Sequence, residues 1–338
     1  MQAAAIITDV DFIICMGVFA GLDMVLSTWG LLANTINVKT IAAMGPDDGV
    51  TVSFLYLSLS EGLCCLLAFG QKLAMAFWVM EMATGYAAWF HVNPYVFNVL
   101  LGNIRTSFFM IPVLVTTFLA VAKCLCVVKP LGFRGMFPAR TTHWVMISIC
   151  VFSLVSYLPV ITTIFVVDQF DEAVNATRLT VRFSPERPLI QNIINTSRES
   201  FTALASQIVI VVCIVIMTRA LLRAVKLRDE LRSGKLSEMV LCNSDDLTTR
   251  KTNRLSGKEL RVIIQVTLIS IVYIVSNTPK ILVFLAIASV PELSQGGLYQ
   301  NLYDVILKSK AHSELYLSAF NIFIYYKYNS KYRHHCKL

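Results

Sequence analysis

The stretch from Pro94 to Val128 admits few folds. Its middle, Ser107 to Ala122, runs sixteen residues without a charge, and as one helix the whole piece reaches about 50 Å against a bilayer core of roughly 30 Å. A soluble core of ordinary size has no place for it. Arg105 and Lys123 bracket the uncharged middle, eighteen residues apart. At about 100° per residue both lie on one stripe, with Phe109, Pro112, Thr116 and Leu119 between them. A charge within a spanning helix is costly unless it faces protein or water, so the stripe is expected to face inward and to put this helix at the centre of a bundle.

Of the 338 residues, 56% are hydrophobic and only 15% charged, where soluble proteins have about a quarter charged. The net charge of +8 sits in clusters between apolar runs, a pattern of membrane topology and not of nucleic-acid binding. Runs of spanning length fall at about 11–38, 50–77, 94–128, 142–167, 200–226, 259–289 and 301–326. They predict an all-α membrane protein, a seven-transmembrane helix bundle in one domain over 1–338, with an inner loop at 227–258. No basic residue precedes Lys39, whereas the 219–261 connection holds eleven. The positive-inside bias then places the N-terminus outside and the C-terminus in the cytoplasm, with the first run as its own signal. The two Asn-x-Ser/Thr sequons, at Asn175 and Asn195, both fall in the 168–199 loop, which this topology puts outside, and are expected to be glycosylated.

None of the nine cysteines falls in a predicted outer loop, and none has His or Cys partners at zinc spacing, so neither a disulfide nor a metal site is expected. Cys336 stands apart. It ends the aromatic and basic segment 327–338, read as a short amphipathic interfacial helix with a lipidation site.

Several landmarks carry a family likeness: Gly30-Leu-Leu-Ala-Asn34, Ser58-Leu-Ser-Glu61, Ala122-Lys-Cys-Leu-Cys-Val-Val-Lys-Pro130-Leu, Trp144, Pro279 and Asn321-Ile-Phe-Ile-Tyr325. Over nearly its whole length the chain resembles a rhodopsin-like G-protein-coupled receptor. The stretches at 124–131, 290–294, 299–303 and 321–333 are similar to the expanded chemosensory receptors of gastropod molluscs. The departures are specific. Ala122-Lys123-Cys124 replaces the family's acid-Arg-Tyr, Ile322 replaces the proline of its Asn-Pro-x-x-Tyr, the fifth run has no proline, and both cysteines of its usual outer disulfide are missing.

The resemblance implies a ligand-activated receptor in the plasma membrane that passes an external chemical stimulus to a heterotrimeric G protein. It assigns the switch and G-protein contacts to Lys123, Cys124, Asn321 and Tyr325. It also aligns Glu61 with an acidic sodium site, with Asn321 and Ser318 as partners, although Pro112 replaces a hydroxyl of that site; the plainer alternative is a protonated Glu61 bonded to Asn321. No other cofactor is implied. Arg105 occupies the position where amine receptors of the family hold an acid, so the ligand, a small molecule or peptide, is expected to be anionic. It would meet Arg105, Phe109, Lys280, Lys310 and Glu314, guanidinium being suited to a carboxylate. The competing reading of these residues is that Glu81, Asp304 or Glu314 neutralises the cations within the bundle, Lys310 with Glu314 being a ready i,i+4 pair.

Other classes fit less well. A retinal photoreceptor needs a lysine where Leu315 stands, a small-solute transporter or channel is favoured by internal repeats that are not evident, and no nucleophile and base stand together as an enzyme requires. A receptor-like protein that no longer couples is the remaining alternative.

Overall fold

The computed structural model describes residues 8–128, 138–232, 257–290, 292–293 and 298–336. Three long helices open the chain: α1 (Asp9–Met44), α2 (Gly49–Ala83) and α3 (Pro94–Val128). Their ends are chemically marked. Thr8 caps α1 by accepting from the Asp11 amide, α1 stops at Gly45 in a positive-φ conformation (φ 75°), and Asp48 caps α2 through the amides of Val50 and Thr51. The next apolar run is shorter than its sequence suggests. It forms α4 (Ala139–Val155) and the single turn α5 (Leu158–Ile161), and then leaves helix altogether. Pro159 and the β-branched sequence that follows favour the change, and the run's end pairs as a strand.

β1 (Ile164–Asp171) and β2 (Ala176–Phe183) form an antiparallel hairpin, in register from Ile164 opposite Phe183 to Asp171 opposite Ala176. Asn175 closes its turn at φ 50°, a conformation asparagine tolerates better than most residues. The predicted outer loop is therefore structured. It continues into α6 (Arg187–Asn195), a π-helical segment (Thr196–Thr202) and α7 (Ala203–Arg232). After α8 (Gly257–Ser289) come α9 (Gln300–Tyr328) and a six-residue α10 (Ser330–His335).

Among the described residues six stretches are long and apolar enough to cross a membrane: Val10–Met44, Gly49–Ala83, Pro94–Val128, Ala139–Ile161, Arg187–Ala220 and Ile263–Ile287. The seventh predicted span, α9, is helical over its expected length but is not among them. Asp304, Lys308, Lys310, His312 and Glu314 make its first half too polar. The molecule is thus a mainly helical membrane protein, with six candidate spans among the described residues. Its exposure pattern agrees. On α1, Val10, Ile14, Val18, Leu22, Val25, Trp29 and Leu32 form an exposed apolar stripe at helical spacing, while Asp23, Ser27, Asn34 and Asn37 are fully buried. Polar inside and apolar outside is the arrangement lipid demands.

α3 lies at the centre, as its charge stripe required. Ile111, Val115 and Leu119 pack with Leu57 of α2, Met146 of α4, Ile269 of α8 and Tyr325 of α9, while Val113, Ala120 and Cys124 face Ile210, Cys213 and Met217 of α7. Arg105, Pro112, Thr116 and Leu119 are buried, with Phe109 and Lys123 half-buried. The α1–α2 contact is close enough to need glycine. A Cβ on Gly30 would stand 2.6 Å from Sγ of the buried Cys65. Gly30→Ala is therefore expected to destabilise the protein by about 1–3 kcal/mol, despite the ~1 kcal/mol gain in helix propensity. Gly102→Ala meets only the Gln71 side-chain amide, which can swing aside, and thermal unfolding in detergent should leave it unharmed.

The C-terminal segment also departs from expectation. The interfacial helix predicted over 327–338 is shared between the end of α9 and α10. Asn329 caps α10 through the Tyr332 amide, and Tyr332 turns inward to 1% exposure, so the segment is pinned to the bundle and does not simply rest on an interface. Of the predicted inner loop, 233–256 lies outside the described residues.

Candidate functional site

The bundle's polar side chains gather in three layers. At the hairpin end, Glu81 from the last turn of α2 is fully buried and meets Arg178 of β2, whose Nη1 donates to Glu81 Oε1 and Oε2 at 3.0 and 3.1 Å. Arg178 also meets Asp171 across the hairpin, Nε to Oδ2 at 2.8 Å and Nη2 to Oδ2 at 2.6 Å. Burial works against the Arg178 charge, but the hydrogen bonds and charges of Asp171 and Glu81 outweigh it and hold the guanidinium above its ordinary pKa. The Phe90 amide donates to Glu81 Oε1 at 2.9 Å, and backbone bonds join Leu179 to His91 and Asn93. The hairpin is thereby clasped to the α2–α3 connection.

The middle layer is ionic. Glu314 of α9 lies 3.5 Å from Arg105 Nη1 of α3 and 3.9 Å from Lys280 Nζ of α8, and Lys280 sits over the Phe109 ring at 5.1 Å. The structure thus brings together four of the five predicted ligand-binding residues. The side chain of the fifth, Lys310, lies outside the described residues. Glu314 pairs with Arg105 and Lys280, which is the neutralising arrangement weighed above. One carboxylate serves two cations, and Arg105 Nε is buried without a hydrogen bond.

Beside this group is one the sequence reading passed over. Asp23 of α1, fully buried, pairs with Lys72 of α2 and with Nδ1 of His312 of α9, whose Nε2 is 3.0 Å from the Tyr316 hydroxyl. Asp23 and Lys72 are charges inside apolar runs, and the rule that singled out Glu61 applies equally to both. His312 and Arg178 gave no such signal, because what matters in each is a partner far away in sequence.

The third layer runs toward α10. Asn321 Nδ2 donates to both carboxylate oxygens of Glu61, at 2.7 and 2.9 Å. Asn34 Nδ2 donates to the Ser318 carbonyl at 3.0 Å, Asn37 Nδ2 to Asn34 Oδ1 at 3.3 Å, and the Tyr332 hydroxyl to Asn37 Oδ1 at 2.7 Å. The Glu61–Asn321 contact weighed as the plainer alternative is present. The side chain of Tyr325 is 1% exposed and stacks edge-on with Phe54. Cys124 is buried against α7, and Lys123 is half-buried near the α10 end of α3.

The remaining predicted sites are dispersed. Asn175 is exposed at the hairpin tip, whereas Asn195 is half-buried at the end of α6 with its Oδ1 out of solvent. Cys336 is half-exposed, its amide bonded to the Tyr332 carbonyl at 2.8 Å. Among the described residues no cluster of His, Cys, Asp or Glu is arranged to hold a metal. Neither a protein-family model nor a curated protein matches this chain.

Proposed function

We propose that the chain is a seven-helix receptor of the plasma membrane, with the hairpin end outside and α10 in the cytoplasm, which binds an anionic chemical stimulus and signals through a heterotrimeric G protein. The observation that carries this reading is the path of α9. Its 29 residues, about 43 Å of helix, run parallel to α1 and join it at His312–Asp23, Ser318–Asn34 and, through α10, Tyr332–Asn37. A helix too polar to enter lipid alone can cross it when its charged face is buried against such partners. Counting α9, seven helices alternate in direction around α3, and the chain ends on the side opposite its start. The eleven basic residues between 219 and 261 favour the cytoplasm for the end that bears α10, and the exposed sequon Asn175 suits an outer hairpin. The G-protein role rests on the family resemblance.

A panel of organic acids and amines in a second-messenger assay tests the proposal. Acids are expected to activate and amines not to. Arg105→Gln is expected to weaken the response to an acid by on the order of 10- to 100-fold at equal surface expression, the worth of a charge-assisted hydrogen bond. Equal activation by amines, or an unaltered Arg105→Gln response, refutes the anionic ligand. The buried Asp23–Lys72–His312 string favours one second reading, a transporter or channel with a proton or ion path; a stimulus-dependent current without G protein would select it.

A further inference from the structure

We infer that the anionic ligand is a short peptide with a free C-terminal carboxylate, seated on Gly102 between α2 and α3. This rests on the reading of Arg105 as the anion's anchor and gives the ligand a chemical class. Three buried polar atoms in this region have no hydrogen bond: Arg105 Nε, Asn98 Oδ1 and Gln71 Oε1. Arg105 is 9% exposed and Asn98 8%. Asn98, Gly102 and Arg105 follow one another at i, i+4 and i+7, so they share one face of α3. Gln71 of α2 lies across the middle of that face, its Nε2 2.6 Å from the place where a Cβ on Gly102 would stand. The three unpartnered groups are therefore neighbours, although they come from two helices.

Their chemistry is ordered along the helix. Arg105 Nε only donates, and Glu314, 3.5 Å from Nη1, is shared with Lys280, so a carboxylate at this level gains the free edge of the guanidinium. The two amide oxygens only accept. They lie nearer the hairpin, where α3 begins beside the Asn93–Leu179 bond: Gly102, with the Gln71 amide on it, is about 4.5 Å from Arg105 along the axis, and Asn98 about 6 Å beyond. A plain organic acid leaves both oxygens buried and unpaired, at the cost of two missing hydrogen bonds. An extended peptide presents an N–H on the same side at every second residue, about 7 Å apart, close to the Gln71–Asn98 spacing. Room comes from the glycine. What covers Gly102 is the far end of a flexible side chain, and when Gln71 swings off it a strip of bare backbone is uncovered between Asn98 and Arg105.

Thermal unfolding of the purified full chain in detergent tests the class without a signalling partner. Mixed tripeptides with a free C-terminus would be compared, at equal ionic strength, with the same tripeptides amidated and with alkanoates from hexanoate to decanoate. Free tripeptides are expected to raise Tm, on the order of 3 °C at saturation. Alkanoates should need on the order of 10-fold higher concentration, and amidated tripeptides should have no effect. Gln71→Leu and Asn98→Leu should each bring the tripeptides down toward the alkanoate level, and Gly102→Leu, which fills the seat, should abolish every response. Should Gly102→Leu fail to fold, Gly102→Ala, whose Cβ already enters the seat, should weaken the tripeptide response instead. Alkanoates equal to free tripeptides overturn the peptide and leave the anionic reading standing. Amidated tripeptides equal to free ones remove both. A Tm indifferent to all the additives, or a tripeptide response untouched by the Gly102 variants, overturns the seat.

Discussion

Asp23→Asn is expected to remove most of the folded protein from the membrane. Asp23 is fully buried and answers two bases, Lys72 of α2 at 4% exposure and His312 of α9. The substitution strands the Lys72 ammonium in the interior, and an uncompensated buried charge costs about 3–5 kcal/mol. A domain has only ~5–15 kcal/mol in all. The loss should be visible as reduced surface expression and a lower Tm in detergent. The effect is asymmetric: Lys72→Met should be milder, because Asp23 keeps His312. Asp23→Asn with Lys72→Met should recover much of the loss, since removing both charges leaves none stranded. A double variant no better than Asp23→Asn would show that charge balance is not what binds α1 to α2 here.

Arg178→Ala is expected to be nearly as harmful, at the other end of the ionic inventory. Arg178 is 3% exposed and Glu81 is fully buried, so truncating the guanidinium leaves a buried carboxylate with only the Phe90 amide bonded to it. The expected cost is again about 3–5 kcal/mol. The hairpin should detach, and limited proteolysis between Asp171 and Phe183 should accelerate before global unfolding. Arg178→Lys should rescue only partly, because an ammonium cannot bridge Asp171 and Glu81 with the guanidinium's planar fork. Protease resistance unchanged in Arg178→Ala would mean that strand pairing alone holds the hairpin.

Much of the architecture was legible because lipid enforces simple rules. The same-face spacing of Arg105 and Lys123 predicted an inward stripe on α3, and the structure buries Arg105, Pro112, Thr116 and Leu119 along it while leaving Phe109 and Lys123 half-buried. The end of the fourth run was misjudged because hydropathy alone does not separate a buried helix end from a strand: Ile164–Val167 is as apolar as the helix before it. α9 was harder still. Its polar face acquires meaning only against Asp23, Asn34 and Arg105, residues that lie more than two hundred positions away. The same holds for Arg178, whose surroundings are assembled from separate elements. Sequence periodicity reports which face of a helix is buried, but not which helix covers it.

The Glu81–Arg178–Asp171 clasp also bears on how the chain matures. No cysteine lies in the hairpin or in the α2–α3 connection, so the fastening of one to the other is non-covalent and reversible. A covalent bridge at this place would wait for an oxidant and for the correction of wrong pairings, steps of seconds to hours, whereas hairpins form in about 1–10 μs. A wrongly docked clasp simply dissociates and tries again. The hairpin end can therefore reach its final form without oxidoreductase help, and thiol reductants should leave its shape intact.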